Sequence, residues 1–167
     1  MKRKRSKRYS FLVKRRGFTL MELMIVVTVL GILAAILIPS FRGVTSEAKN
    51  AAAKADLRNL KVAVILYQAK YNVLPDDSSV DKFEECLQNY SPRVVDRVPA
   101  DPWSSAGAKY QYDVAADNQT YAIWSVGANG TTDITVGSDE INFGANADDI
   151  VATNAKTING STSGGVL

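Results

Sequence analysis

From Phe18 to Ile38 the chain is apolar except at Thr19, Glu22 and Thr28, and a run of roughly 20 such residues is what an α-helix needs to cross a bilayer. A chain that carries this stretch must place it in lipid or among other apolar helices. Glu22 is its anomaly. An acidic side chain at the centre of a span costs about 2.5–3.5 kcal/mol and less near the interface, so the carboxylate needs a partner that neutralises it.

The preceding segment, Met1 to Gly17, holds nine Lys or Arg and no acid. Such a segment stays in the cytoplasm and sends the C-terminal part across the membrane. A secretory signal places its small-residue cleavage site after the apolar core; here the small residue, Gly17, stands before it. The leader's nine cations exceed the whole-chain net charge of +3, which leaves −6 from Phe18 onward. The basic character therefore belongs to the leader and gives no support to nucleic-acid binding. The single cysteine, Cys86, excludes an intramolecular disulfide, and there is no histidine to serve as general base or metal ligand.

Gly17-Phe18-Thr19-Leu20-Met21-Glu22, with basic residues before it and Gly31 and Pro39 in the helix that follows, resembles the class III signal of type IV pilins and type II secretion pseudopilins. The resemblance implies that a prepilin peptidase cuts after Gly17 and methylates the new terminal amine of Phe18. It also implies that Glu22 pairs with the terminal amine of a neighbouring subunit during assembly. The physics fits: a carboxylate that is costly alone in lipid is partly neutralised by a cationic amine in the same low-dielectric layer.

Beyond the span the helical pattern continues. Leu57, Leu60, Val64, Tyr67 and Tyr71 recur at 3,4,3,4 spacing and predict one apolar face from the span to about Tyr71. Leu74-Pro75 ends the helix. Asp76 to Ser79 offer N-caps to a short amphipathic helix with Val80, Phe83, Leu87 and Tyr90 on one side; Cys86 reads there as a small packing residue. Pro92, Pro99 and Pro102 mark an irregular stretch. Lys109–Val114 and Thr120–Val126 predict an antiparallel hairpin, Glu140–Phe143 a weaker strand, and residues 153–167 a poorly ordered tail. The expected architecture is α+β, a long N-terminal helix packed on a small antiparallel β-sheet head. Its parts are a cleaved leader (1–17), a membrane or filament-core helix (18–38), an amphipathic continuation (39–72), the head (73–152) and a polar tail (153–167).

Within the head, Pro99-x-Asp101-Pro102-Trp103, Tyr110-x-Tyr112, Ser125 to Gly130 and Asp148-Asp149-Ile150 resemble the major pseudopilin of type II secretion. That family carries Ca²⁺ in the loop after the last hairpin strand. The resemblance places Ser125, Asn129, Asp148 and Asp149 as its metal residues, although Asn129 is neutral and the segment between Gly130 and Asp148 is long. Ca²⁺ takes 6–8 oxygens, and Asp133, Asp139 and Glu140 lie in the same acidic stretch; the acids read equally as solvating a surface loop. The resemblance implies a non-enzymatic subunit of a homo-oligomeric helical pseudopilus. Its partners are the prepilin peptidase, an inner-membrane assembly platform with its ATPase, and minor pseudopilins. It implies a single pass through the bacterial inner membrane with the C-terminal part outside the cytoplasm, then a periplasmic filament. The alternative is the major subunit of a type IV pilus, a cell-surface filament for adhesion or motility.

Intact-mass analysis of the mature protein tests the leader. Residues 1–17 should be missing and Phe18 should carry one added methyl group; a mature species that keeps the basic leader contradicts the processing.

Overall fold

A computed structural model describes residues 17–93 and 95–167, with residues 38–42 described by backbone alone. Apart from Gly17, the expected leader lies outside the described residues. The chain divides between Arg42 and Gly43 into two compact units, and helix α1 (Leu20–Tyr71) contributes to both.

In the first unit Thr19 precedes α1, and its Oγ1 accepts the Glu22 N–H at 3.1 Å, the capping role that hydroxyl side chains serve at a helix start. Glu22 lies in the first turn, where the helix dipole favours a negative charge. Leu20–Leu37 is long and apolar enough to cross a membrane, and none of it is buried.

In the second unit the expected apolar face of α1 forms: Ala53, Leu57, Leu60, Ala63 and Val64 are buried, with Tyr67 packed against them. The helix stops where Asn72 turns left-handed, φ 56°, and its N–H reaches back to Gln68 O at 2.8 Å, a common helix-ending device. Among the four N-cap candidates, Ser79 caps α2 (Val80–Gln88) by accepting the Lys82 N–H. Phe83 and Leu87 face the core, and the Phe83 ring stacks on Tyr112 at 4.0 Å. Cys86 is half-buried in α2.

The expected hairpin is β1 (Gln111–Val114) with β2 (Tyr121–Ser125), antiparallel. β5 (Ile150–Thr153) pairs antiparallel with the other edge of β2, and β7 (Gly165–Val166) adds to β5 in parallel. Every residue of β2 and β5 is buried, because side chains alternate between two covered faces. Tyr121, Ile123, Ile150 and Ala152 face the α1 core. Ala122, Trp124 and Val151 face a second cluster with Ile141.

That second cluster is roofed by another sheet. β3 (Ile134–Gly137) and β4 (Glu140–Phe143) form a hairpin whose cross-strand pairs Ile134↔Phe143 and Val136↔Ile141 point at it. β6 (Thr157–Asn159) joins β4 in parallel.

The α+β architecture forms as expected, a long N-terminal helix with a small β head, and two details differ. The head has two sheets with a parallel pair in each, rather than one small antiparallel sheet. The segment expected to be a poorly ordered tail supplies β6 and β7. The parallel pairs and the ordered tail share one cause: β6 and β7 are short segments held by backbone ladder bonds to distant strands, which leave no apolar period in the sequence.

Candidate functional site

The candidate site lies where the chain leaves β2 and where it enters β5. After Ser125 the backbone turns at Gly127, φ 67°, a left-handed conformation that glycine adopts without strain. A Cβ there would also sit 2.2 Å from Asp148 Oδ1, so two reasons require glycine. The loop then hands its polar groups to the acids. Asn129 N donates to Asp148 Oδ2 at 2.9 Å, Asn129 Nδ2 donates to Asp133 Oδ2 at 2.6 Å, and Asp133 N donates to Asp149 Oδ2 at 2.8 Å.

These bonds gather three carboxylates. Asp133, Asp148 and Asp149 each present an oxygen, and the three oxygens lie within 4.8 Å of one another. Asp148 Oδ1 and Asp149 Oδ1 are buried and accept no hydrogen bond. An unpartnered buried carboxylate oxygen is among the costliest groups a protein can hold. Asp149 is wholly buried. Its carboxyl is pushed up to about 6, chiefly by burial; the charges of Asp133, Asp148 and Asp101 also raise it, and the Asp133 N–H pulls it back.

The sequence-derived residues divide. Asp148 and Asp149 form the cluster. Ser125 does not point its hydroxyl there: Oγ donates to Asp101 Oδ1 at 2.8 Å. Asn129 braces the loop, its Oδ1 accepting the Thr131 N–H at 2.8 Å while its Nδ2 holds Asp133. Asp133 is the carboxylate that sequence reading left among the loop acids, since no spacing rule joins it to residues 15 and 16 positions later. The remaining two acids of the stretch are engaged elsewhere, Asp139 with Lys156 at 2.7 Å and Glu140 with Asn142 and Asn159. Gly17, Phe18 and Glu22 are exposed in the first unit.

The Asp101-Pro102-Trp103 motif is a brace. The Asp101 carboxylate accepts from Trp103 N, Ser125 Oγ and Val126 N at 2.8–3.0 Å. Trp103 Nε1 donates to Asn50 Oδ1 on α1 at 3.0 Å, and the Lys49 ammonium sits 4.9 Å above the ring. The motif thus ties α1 to the loop that carries Asn129.

Residues 41–143 match the family "Type II secretion system (T2SS), protein G", and residues 12–38 match the prokaryotic N-terminal methylation motif. Asp148 and Asp149 lie beyond the first match. The chain is similar to type II secretion system core protein G of Vibrio cholerae, 34% identical over 70% of this chain and 83% of that protein. The same-named protein of Pseudomonas aeruginosa is 31% identical over 70% of this chain and 86% of its own length. That of Escherichia coli is 29% identical over 70% and 84%. A family match that covers most of the head, joined to the methylation motif over the apolar segment, means that the chain belongs to the type II secretion system protein G family.

Proposed function

We propose that this chain is the major pseudopilin of a type II secretion system, a non-catalytic subunit that packs into a helical filament built from the inner membrane. The observation that carries this reading is a protein G head joined to an exposed apolar helix, Leu20–Leu37, with one carboxylate in its first turn. The protein G match favours secretion over a pilus for adhesion or motility.

The apolar helix works in two solvents. Before assembly lipid covers it; in the filament, neighbouring helices do, so little hydrophobic free energy is lost on leaving the bilayer. Prepilin peptidase cleavage after Gly17 turns Phe18 into a cationic terminus. Glu22 of one subunit and that amine of the next then neutralise each other in a water-poor layer, which selects one axial stagger. The assembly platform, its ATPase and the minor pseudopilins act on this array, and the heads end outside the cytoplasm.

Asp133, Asp148 and Asp149 would hold a Ca²⁺ ion. The fit rests on the two buried oxygens without a partner and on the hard, all-oxygen donor set. The ion would supply positive charge to carboxylates that otherwise repel one another, fixing the loops before β3 and β5.

Glu22→Val should insert and be processed, because removing a charge eases insertion, but should not enter filaments. Normal filaments at normal density, seen by immunoelectron microscopy of overexpressing cells, would sink the pairing role.

For the ion, the full-length protein in detergent should gain stability as RT ln(1 + [L]/Kd), about 2.7 kcal/mol at a hundredfold excess over Kd. At roughly 4 °C per kcal/mol this raises the melting temperature of the head by about 10 °C. Asp149→Asn should abolish the gain without lowering the metal-free melting temperature, since an amide oxygen still accepts the Asp133 N–H and no buried charge remains. Identical melting curves of the wild-type protein in Ca²⁺ and in chelator would remove the ion from this account.

A further inference from the structure

The segment after β6 lies against the main chain of the two paired acids. Ser163 N donates to Ala147 O at 3.1 Å. Thr162 Oγ1 donates to Asp149 O at 2.5 Å and accepts the Gly164 N–H at 3.2 Å. Gly165 and Val166 pair with Ile150 and Val151. Leu167 N then donates to Val151 O at 2.8 Å, and Leu167 O accepts from Lys61 Nζ on α1 at 2.8 Å. Gly164 is buried, and a Cβ on it would stand 2.4 Å from the carbonyl oxygens of both Asp148 and Asp149. This segment therefore holds the main-chain oxygens of Ala147 and Asp149 and packs closely on that of Asp148, while the side chains of the two acids meet Asp133 and the Asn129 loop.

We propose that residues 162–167 are a clamp on the acidic loop, with Thr162 a positioning residue for Asp149, so that cation binding and docking of the clamp reinforce each other. The proposal rests on the Ca²⁺ reading above. Its physical basis is preorganisation. Asp148 and Asp149 repel each other and Asp133, and a loop free to turn would separate them; the ion would then have to supply the cost of ordering the loop. A docked clamp has already met that cost. Coupling is reciprocal, so an ion favoured by the docked clamp must favour docking by the same factor. β7 spans only two residues, and so short an element opens locally well before the head unfolds.

Two measurements on the full-length protein in detergent micelles test this. Hydrogen exchange by mass spectrometry, with and without saturating Ca²⁺, should show residues 162–167 exchanging at least threefold more slowly with the ion. Calorimetric Ca²⁺ titration should show Thr162→Val binding about three- to tenfold more weakly, the range one net hydrogen bond supplies, with Thr162→Ser close to wild type. Ca²⁺ binding by the wild type with unchanged exchange in residues 162–167 overturns the clamp and leaves the calcium reading standing. Slowed exchange with Thr162→Val binding as tightly as wild type overturns the role of Thr162. A wild-type protein that takes up no Ca²⁺ overturns the calcium reading and the clamp with it. The exchange comparison uses wild-type protein alone, so a Thr162 variant that misfolds does not protect the proposal.

Discussion

The head is assembled on one face of α1. Leu57, Leu60 and Val64 are fully or almost fully buried, each contributing roughly 1.5–3 kcal/mol by leaving water, and the inner faces of β1, β2 and β5 together with α2 complete that cluster. The register of β2 follows from it. Tyr121 and Ile123 must face α1, which turns Ala122 and Trp124 to the opposite face, where they too need cover. The β3–β4 hairpin with β6 supplies that cover. In the first unit the same helix presents apolar side chains that the protein does not bury. That exposed stretch, Leu20–Leu37, is long and apolar enough to cross a membrane.

The two buried acids of the head show how a carboxylate can be held inside a protein in two ways. Asp101 is surrounded by donors: two backbone N–H groups and the Ser125 hydroxyl. Asp149 has a single backbone N–H on Oδ2 and none on Oδ1. Its raised pKa, about 6 in the folded protein against 3.8 for an unperturbed carboxyl, means that the folded state binds the proton more tightly than the unfolded state. Without a cation, this group's contribution to stability falls as pH rises from about 4 to about 6. A divalent ion bound as proposed would reverse that balance by replacing the proton. The braces are laid out accordingly: Asp101 fixes Trp103 and Ser125, Gly127 lets the loop pass Asp148, and Asn129 sets Asp133 among the acids.

Much of this was legible in the sequence because the signals were periodic or local. The apolar run with Glu22, the 3,4,3,4 spacing of α1, the Ser79 cap and the alternation of Tyr110 and Tyr112 each report an element through its neighbours in the chain. The residue types of the acidic loop were legible too, but not their partners. The Ser125 hydroxyl, expected near the metal residues, donates to Asp101, and Asp133, left among the loop acids without a role, lies with Asp148 and Asp149. That arrangement depends on the β3–β4 hairpin, whose two-residue connection, Ser138–Asp139, relies on a left-handed Asp139 (φ 64°) rather than on glycine. β6 and β7 were invisible for a related reason. Asn159 lies in a side-chain ladder with Asn142 and Glu140, and Gly165 pairs through backbone alone, so neither strand leaves an apolar pattern.

The claim on which the head's chemistry turns is that one cation sits among three particular carboxylates. Anomalous X-ray diffraction from crystals grown in Ca²⁺ locates such an ion directly. The account predicts a single peak about 2.3–2.6 Å from oxygens of Asp133, Asp148 and Asp149; an empty cluster, or an ion whose shell omits Asp133, would contradict it.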